Sequence, residues 1–339
     1  VVPVSLALGE QYRRSGKEVL SAIVVGYEAA QRMDMAAAAA LHSNGFRAVP
    51  AIGVFGAAAS ASVLSGLDTS QFANALNFAA NMAGGFYGAF SDGTMEVDVQ
   101  SGFAARAGVT AAALAGAGGE TSPRTLDGAA GFFSTFARDR DYEVGALTAE
   151  TTALGIHTAW SKPFSGCKAN QETMLVIRAL QPAGFPPSEI ERVIVTRGWN
   201  DYDAPGIQAA PPYHNMVQAL LSARFTSIAA LLGKPVTDSR YFKESFGDPD
   251  VEEIAHKTTL LTAEAGGETV TVEVVLKNGQ THTLRSSDIP DTSWDVDLTS
   301  RFERLAAPRL QGATRSVLDL VAKLDSAPDI GALMQLVRA

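Results

Sequence analysis

Cysteine is almost missing from this chain of 339 residues, with Cys167 the single one. That excludes an internal disulfide framework and a cysteine-rich zinc site, and it fits a reducing, cytoplasmic compartment. Charge is sparse at 19% of residues, the net charge is −9, and no stretch is rich in Lys and Arg. A nucleic-acid binder shows a basic patch, so no nucleic-acid partner is expected. The five histidines are scattered with no i, i+4 pair, so neither metal nor another cofactor is expected. There is no P-loop, no G-x-G-x-x-G after a strand, no H-E-x-x-H and no G-x-S-x-G elbow. Val1-Val2-Pro3-Val4 has no basic region before it, so no secretory signal is expected, and the chain starts without methionine.

Apolar residues make up 46%, ordinary for a globular chain, and the length suggests two domains. Two uncharged runs, 48–67 and 69–91, are long enough to cross a bilayer. Both are rich in Ala, Gly, Ser and Asn, so tightly packed core helices are expected and a membrane partner is not. Ser15-Gly16-Lys17-Glu18 and Asp68-Thr69-Ser70-Gln71 have capping-box spacing and start helices, the second running to Gly84-Gly85. A third helix is expected over 102–115, with 92–102 a loop before it. Abundant Ala and Gly let helix axes approach closely.

After residue 160 the pattern changes. Glu191-Arg192-Val193-Ile194-Val195-Thr196-Arg197 alternates as a strand, and 216–232 returns to helical spacing. Residues 269–276 and 281–285 read as strands joined through Lys277-Asn278-Gly279-Gln280, with Asn-Gly able to accept positive φ. Residues 286–297 read as a loop, and 298–305 and 317–324 as helices. The expected fold is mainly α with a second α+β domain: a large all-helical domain (1–160), a smaller inserted α+β domain (161–297), and a C-terminal return to the helical domain (298–339).

Certain strings, in order, carry more. They are Gly26-Tyr27-Glu28, placed at the end of a long helix, then Gly45-Phe46, Gly53-Val54-Phe55-Gly56, Gly66-Leu67-Asp68 and Asn74-Ala75-Leu76. Asp92-Gly93-Thr94-Met95, Gly102-Phe103-Ala104-Ala105, Leu126-Asp127-Gly128 with Gly131-Phe132, and Lys162-Pro163-Phe164 with Cys167 follow. The ordered set resembles the MmgE/PrpD family, which includes 2-methylcitrate dehydratase, cis-aconitate decarboxylase and some epimerases of small dicarboxylates. The resemblance covers essentially the whole chain and implies a helical domain plus a smaller α+β domain. It also implies an upstream segment, with an Asp-rich motif and a His, ahead of the position of Val1.

The resemblance implies a lyase similar to 2-methylcitrate dehydratase, acting on a small di- or tricarboxylate by proton abstraction next to a carboxylate. A divergent isomerase, epimerase or decarboxylase, or a non-catalytic carboxylate binder, are the alternatives. Such chemistry needs a base, an acid for the leaving hydroxyl, and cations for the carboxylates. Lys162 resembles a family active-site lysine, and Cys167 and Lys168 follow where the family bears functional side chains. Gln171 and Gln100 stand where the family commonly has histidine and can only hydrogen-bond. Asp92 is open between a cap and an acid. Arg47 stands near the family's His-Pro-Thr and offers a carboxylate clamp, with His42 the nearest imidazole. Ser222 aligns with a family serine, and Arg224 and His157 are candidates for the same cleft, expected between the domains. His214 is a weaker candidate, and His256 and His282 read as structural. A homodimer through the helical domain is expected.

Overall fold

A computed structural model describes residues 1–180, 184–198, 206–264, 267, 269–310 and 312–338. The chain divides into two compact units: residues 1–87, 98–160 and 298–339, and residues 88–97 with 161–297. The architecture is mainly α with an α+β part, in line with the sequence pattern.

The first unit is built on α1 (Val2–Gln11), α2 (Gly16–Ser43), α3 (Ala48–Ser65) and α4 (Thr69–Asn81). Both predicted capping boxes form. Ser15 accepts from the Glu18 amide while Glu18 accepts from the Ser15 amide, and Asp68 and Gln71 do the same for α4. Each box satisfies two amides that a helix start otherwise leaves without partners. The apolar run 48–67 becomes α3, long and apolar enough to cross a membrane, yet largely buried inside the unit. The run 69–91 does not stay helical. α4 ends at Asn81, short of Gly84-Gly85, and α5 (Gly88–Asp92) follows after a break.

Gly26-Tyr27-Glu28 does not end a helix, because α2 continues to Ser43. Gly26 serves packing instead. A Cβ on Gly26 would lie 2.8 Å from the Gly56 carbonyl oxygen, and one on Gly56 would lie 2.7 Å from that of Gly26. The two backbones touch with no side chain between them, so Ala-rich faces that bury little area still gain dispersion contact. α6 (Glu96–Gly116) approaches α3 as closely, with Gly108 against Ala57 and Ala58. α6 begins six residues before the expected start, so 96–101 are helix and not loop. The polar residues Glu96, Asp98, Gln100 and Ser101 hide its apolar period at that end. The C-terminal helices belong to this unit: Leu298–Leu310 runs past the expected end at 305, Thr314–Ala322 starts before and ends before the expected 317–324, and Gly331–Leu336 lies outside the expected helices. α7 (Phe132–Ala137) closes an apolar cluster with α2 and α3 through stacked phenylalanines.

The second unit carries a four-stranded sheet in the order β2-β1-β3-β4, with β1 (Ile190–Arg197), β2 (Thr258–Thr262), β3 (Thr271–Leu276) and β4 (Thr281–Arg285). β1 pairs β2 in parallel and β3 antiparallel, and β3 and β4 form the predicted hairpin. The turn differs from the Asn-Gly expectation. Only Gly279 takes positive φ, at 85°. The Gly279 amide donates to Leu276, and the Leu276 amide to Gln280. This is a type I turn closed by a left-handed glycine, the three-residue alternative. α8 (Gln171–Leu180) and the helices Ala223–Leu231 and Pro249–His256 cover the sheet over Val193, Val195, Val272 and Val274. The expected continuous helix 216–232 is two helices, Met216–Leu221 and Ala223–Leu231, broken at Ser222. A single residue in extended conformation shifts no apolar period, so periodicity could not reveal it.

Two glycines of α3 give opposite expectations. Gly53 has open space where a Cβ would go, so Gly53→Ala is expected to raise stability by about 0.5–1 kcal/mol through helix propensity. Gly56→Ala forces α2 and α3 apart and is expected to lower it by about 1–3 kcal/mol. Urea unfolding of both variants checks the pair; similar effects of the two would contradict the close crossing.

Candidate functional site

Each unit holds a share of the predicted residues. In the helical unit, α2 ends at Ser43 and α3 begins at Ala48, so His42 and Arg47 flank one tight connection. Gly45 supplies a positive φ of 83° there. The connection pairs with residues 85–87 as a short antiparallel bridge. The Arg47 amide donates to the Gly85 carbonyl at 3.0 Å, and the Tyr87 amide to the Gly45 carbonyl at 3.2 Å.

That bridge assembles two polar contacts. His42 Nδ1 lies 2.8 Å from the Tyr87 hydroxyl, with the rings edge to face. The Arg47 guanidinium donates to Gln100 Oε1 at 3.0 Å, and Gln100 Nε2 donates to the Phe86 carbonyl at 3.0 Å. Gln100 is buried, so both ends of its amide need the partners they have. It holds Arg47 and 85–87 in place from the first turns of α6. Gln100 also lines a cleft of about 420 Å³ with Pro50, Gly84, Gly85, Phe103 and Arg106. The Arg106 guanidinium sits 5.5 Å from the Phe103 ring centre. His157 lies in the turn Gly155–Thr158 of the same unit, exposed, and its ring makes no hydrogen bond among the described residues. Gly155 there donates to Glu28, and this bond, with Arg32, holds the Glu28 carboxyl below its ordinary range.

In the second unit, the segment 162–171 is a closed loop. The Phe164 amide donates to Gln171 Oε1 at 3.0 Å, and Gln171 Nε2 donates to the Cys167 carbonyl at 3.1 Å. The Lys162 ammonium donates to the Gly166 carbonyl at 2.7 Å. Gln171 is fully buried, so it ties the loop on which Lys162, half-buried Cys167 and exposed Lys168 sit. Arg197 anchors the same loop from β1. Its guanidinium donates to Asn170 Oδ1 at 3.1 Å and to the Ala169 carbonyl at 2.7 Å.

Ser222 is buried and accepts from the Phe225 amide at 3.1 Å, capping the helix that follows it. Its hydroxyl donates to the Ala209 carbonyl at 2.7 Å. Arg224 is engaged by backbone, donating to the Gln208 and Thr258 carbonyls. Asp92 ends α5, and its carbonyl accepts from Gln218 Nε2 at 3.2 Å. The cap alternative for Asp92 is not met, since among the described residues its carboxylate accepts no hydrogen bond.

The structure thus joins Arg47 to Gln100 and puts His42 on the same bridge, and separately joins Lys162, Cys167 and Gln171 in one loop. Two residues escaped the sequence reading. Tyr87 follows the Gly84-Gly85 stop and has no motif of its own. Arg197 could have been found by parity, because it continues the inward series Val193, Val195 where an apolar residue belongs.

Comparison with known proteins supports the resemblance read from the motifs. Residues 1–145 match the MmgE/PrpD N-terminal domain. The chain is also 25% identical to the cis-aconitate decarboxylase of Mus musculus over 363 aligned positions, covering all of this chain and 72% of that protein. The MmgE/PrpD resemblance is therefore shown, resting on the domain match in 1–145 and on the decarboxylase alone beyond it. Together these two similarities support a lyase-like function.

Tyr213 offers a test of how closed the Ser222 region is. Burial is the main cause that pushes its phenol from 10.0 up to about 12, against the opposing effect of its hydrogen bond with Ser222. A raised value favours the neutral form, so this contribution to stability is whole below pH 10 and is lost as pH rises toward 12. Ultraviolet titration is expected to show one tyrosine ionising near the upper value. Ser222→Ala is expected to cost about 1–2 kcal/mol through the lost cap.

Proposed function

We propose that this protein is a lyase acting on a small di- or tricarboxylate, with the Arg47–Gln100 contact as its carboxylate anchor and His42–Tyr87 as its proton-handling pair. The observation that carries the reading is that one short bridge, 45–47 with 85–87, holds both contacts. A guanidinium has five N–H donors and the Gln100 amide engages one side of it, which presets its plane for forked binding of a carboxylate. The cleft beside Gln100 is of a size suited to a small metabolite, and Arg106 brings a cation to its lining.

The chemistry asked of the chain is proton removal from a carbon next to a bound carboxylate, with loss of hydroxide as water once it is protonated. With Nδ1–H donating to the phenol oxygen 2.8 Å away, the imidazole can take a proton at Nε2. Decarboxylation places the same demand in reverse, because the carbanion left by carbon dioxide must receive a proton. Lys162, on the loop tied by Gln171, is a further proposed carboxylate clamp, with Lys168, Arg224, Cys167 and Ser222 as supporting groups and Asp92 and His157 as spare acid–base groups. A homodimer in the cytoplasm belongs to the same proposal.

One observation favours a second reading. Both glutamines that stand at family histidine positions are engaged at both ends of their amides, Gln100 and Gln171 alike. Neither moves protons, so a carboxylate-binding protein without turnover is the alternative.

Incubation with cis-aconitate, 2-methylcitrate and related acids, followed by ultraviolet absorbance and carbon dioxide release, separates the two. Turnover that falls at least about a hundredfold in His42→Gln is expected, in the range of lost general acid–base catalysis. Binding without turnover in the wild type supports the second reading, and turnover unchanged in His42→Gln rejects the proton pair.

A further inference from the structure

The chain leaves the helical unit directly after Tyr87 and returns to it at Asp98, and the ten residues between, 88–97, belong to the second unit. Both junctions adjoin residues of the proposed site. Tyr87 holds His42 at one end, and Gln100, which holds Arg47, stands one helical turn beyond Glu96 at the other. The root of this excursion is closed within the helical unit, where Gln100 Nε2 donates to the Phe86 carbonyl at 3.0 Å.

Its tip is held by the second unit. α5 ends at Asp92, whose carbonyl accepts from Gln218 Nε2 at 3.2 Å. Gln218 is aimed by its own helix start. Asn215 caps the helix Met216–Leu221 by accepting from the Gln218 amide at 2.9 Å, and Gln218 Oε1 turns back to accept from the His214 amide at 2.9 Å. With that oxygen committed, the side-chain nitrogen is left to reach Asp92. The fit around it is close. Gly93 is buried with a φ of 70°, and a Cβ there would overlap the Gln218 side chain. A Cβ on Gly206 would likewise overlap the Phe90 carbonyl oxygen. Glycine at both positions lets the excursion lie directly on the rest of the second unit.

Little slack separates tip from root. α5 starts at Gly88, the residue after Tyr87, and α6 starts at Glu96 inside the excursion and runs unbroken past Gln100. A continuous helix passes a displacement of its first turn to the next, where a coil would absorb it. Released from the second unit, the segment would also carry the entropy of an open loop, against which the Gln100–Phe86 root must close. Docking of the tip removes that freedom beforehand. We infer that Gln218 is a positioning residue: by pinning Asp92 it holds residues 88–97 on the second unit, and through them it fixes Tyr87 and Gln100 against His42 and Arg47. The consequence for turnover rests on the roles proposed for His42 and Arg47, whereas the coupling itself is read without substrate.

Hydrogen exchange of the whole protein, followed amide by amide, tests it. The reporters are the Tyr87 and Arg47 amides, which donate to Gly45 and Gly85 across the bridge. Gln218→Met removes both side-chain bonds, and Gln218→Glu keeps the acceptor for His214 while losing the donor to Asp92. Both are expected to speed exchange at the two reporters at least about tenfold, as for a local opening. The Val19 amide of α2 and the Val193 amide of β1 are expected to stay as in the wild type. Gly93→Ala, which alters the excursion alone, is expected to act in the same way. A role confined to the start of the helix Met216–Leu221 predicts instead that Gln218→Glu exchanges like the wild type, and that result overturns the inference. Unchanged reporters in folded Gln218→Met overturn it too, whether or not 88–97 is released. Should Gln218→Met unfold the second unit, Gly93→Ala decides, with unchanged reporters counting against the coupling. Faster exchange at the reporters in a protein that turns over no carboxylate supports the coupling while the lyase reading fails, so the two fail separately.

Discussion

Gly26 and Gly56 press backbone against backbone where α2 meets α3, and the geometry of the helical unit follows from that crossing. The two helices are consecutive, and the closed end of their hairpin is the connection that carries His42 and Arg47. A side chain at either glycine would separate the axes and move that connection. Residues 45–47 are then fastened to 85–87, and Gln100 on α6 fastens both. Close packing thus sets the position of Arg47, since a small displacement of a guanidinium from its acceptor loses a hydrogen bond outright.

Two buried glutamines do the holding, one in each unit. Gln100 accepts from Arg47 and donates to Phe86, while Gln171 accepts from Phe164 and donates to Cys167. Removing such an amide leaves a buried donor or acceptor without a partner, at about 1–3 kcal/mol each. A histidine at either position would titrate near neutral pH and hold its neighbours in only one protonation state. An amide does not titrate, so these contacts persist across pH. In the helical unit the imidazole and phenol of His42 and Tyr87 are the pair in direct contact.

Much of the scaffold was legible because its signals are local. The capping boxes at Ser15 and Asp68 name their own partners three residues on, and the β1 and β3 strands alternate strongly enough to place them within two residues. What failed was less local. Gly26 reads as a helix end in sequence, but its role depends on Gly56, thirty positions away, which no window along the chain contains. The start of α6 is masked by polar residues, Glu96, Asp98 and Ser101 exposed and Gln100 buried, and the break at Ser222 is a cap that keeps the apolar register. Of the site, the pairing of Arg47 with Gln100 was not readable, since the two are 53 positions apart and are joined only by the fold. The roles of Gln171 and Ser222 were visible as hydrogen-bonding potential and became specific only with their partners.

The account turns on Arg47 as the group that receives a substrate carboxylate. A crystal structure with cis-aconitate bound tests it most directly. The account expects a carboxylate of the ligand within hydrogen-bond distance of the Arg47 guanidinium, with the Gln100 amide still in place behind it. A ligand bound at full occupancy with its carboxylates held elsewhere than at the Arg47 guanidinium would contradict it.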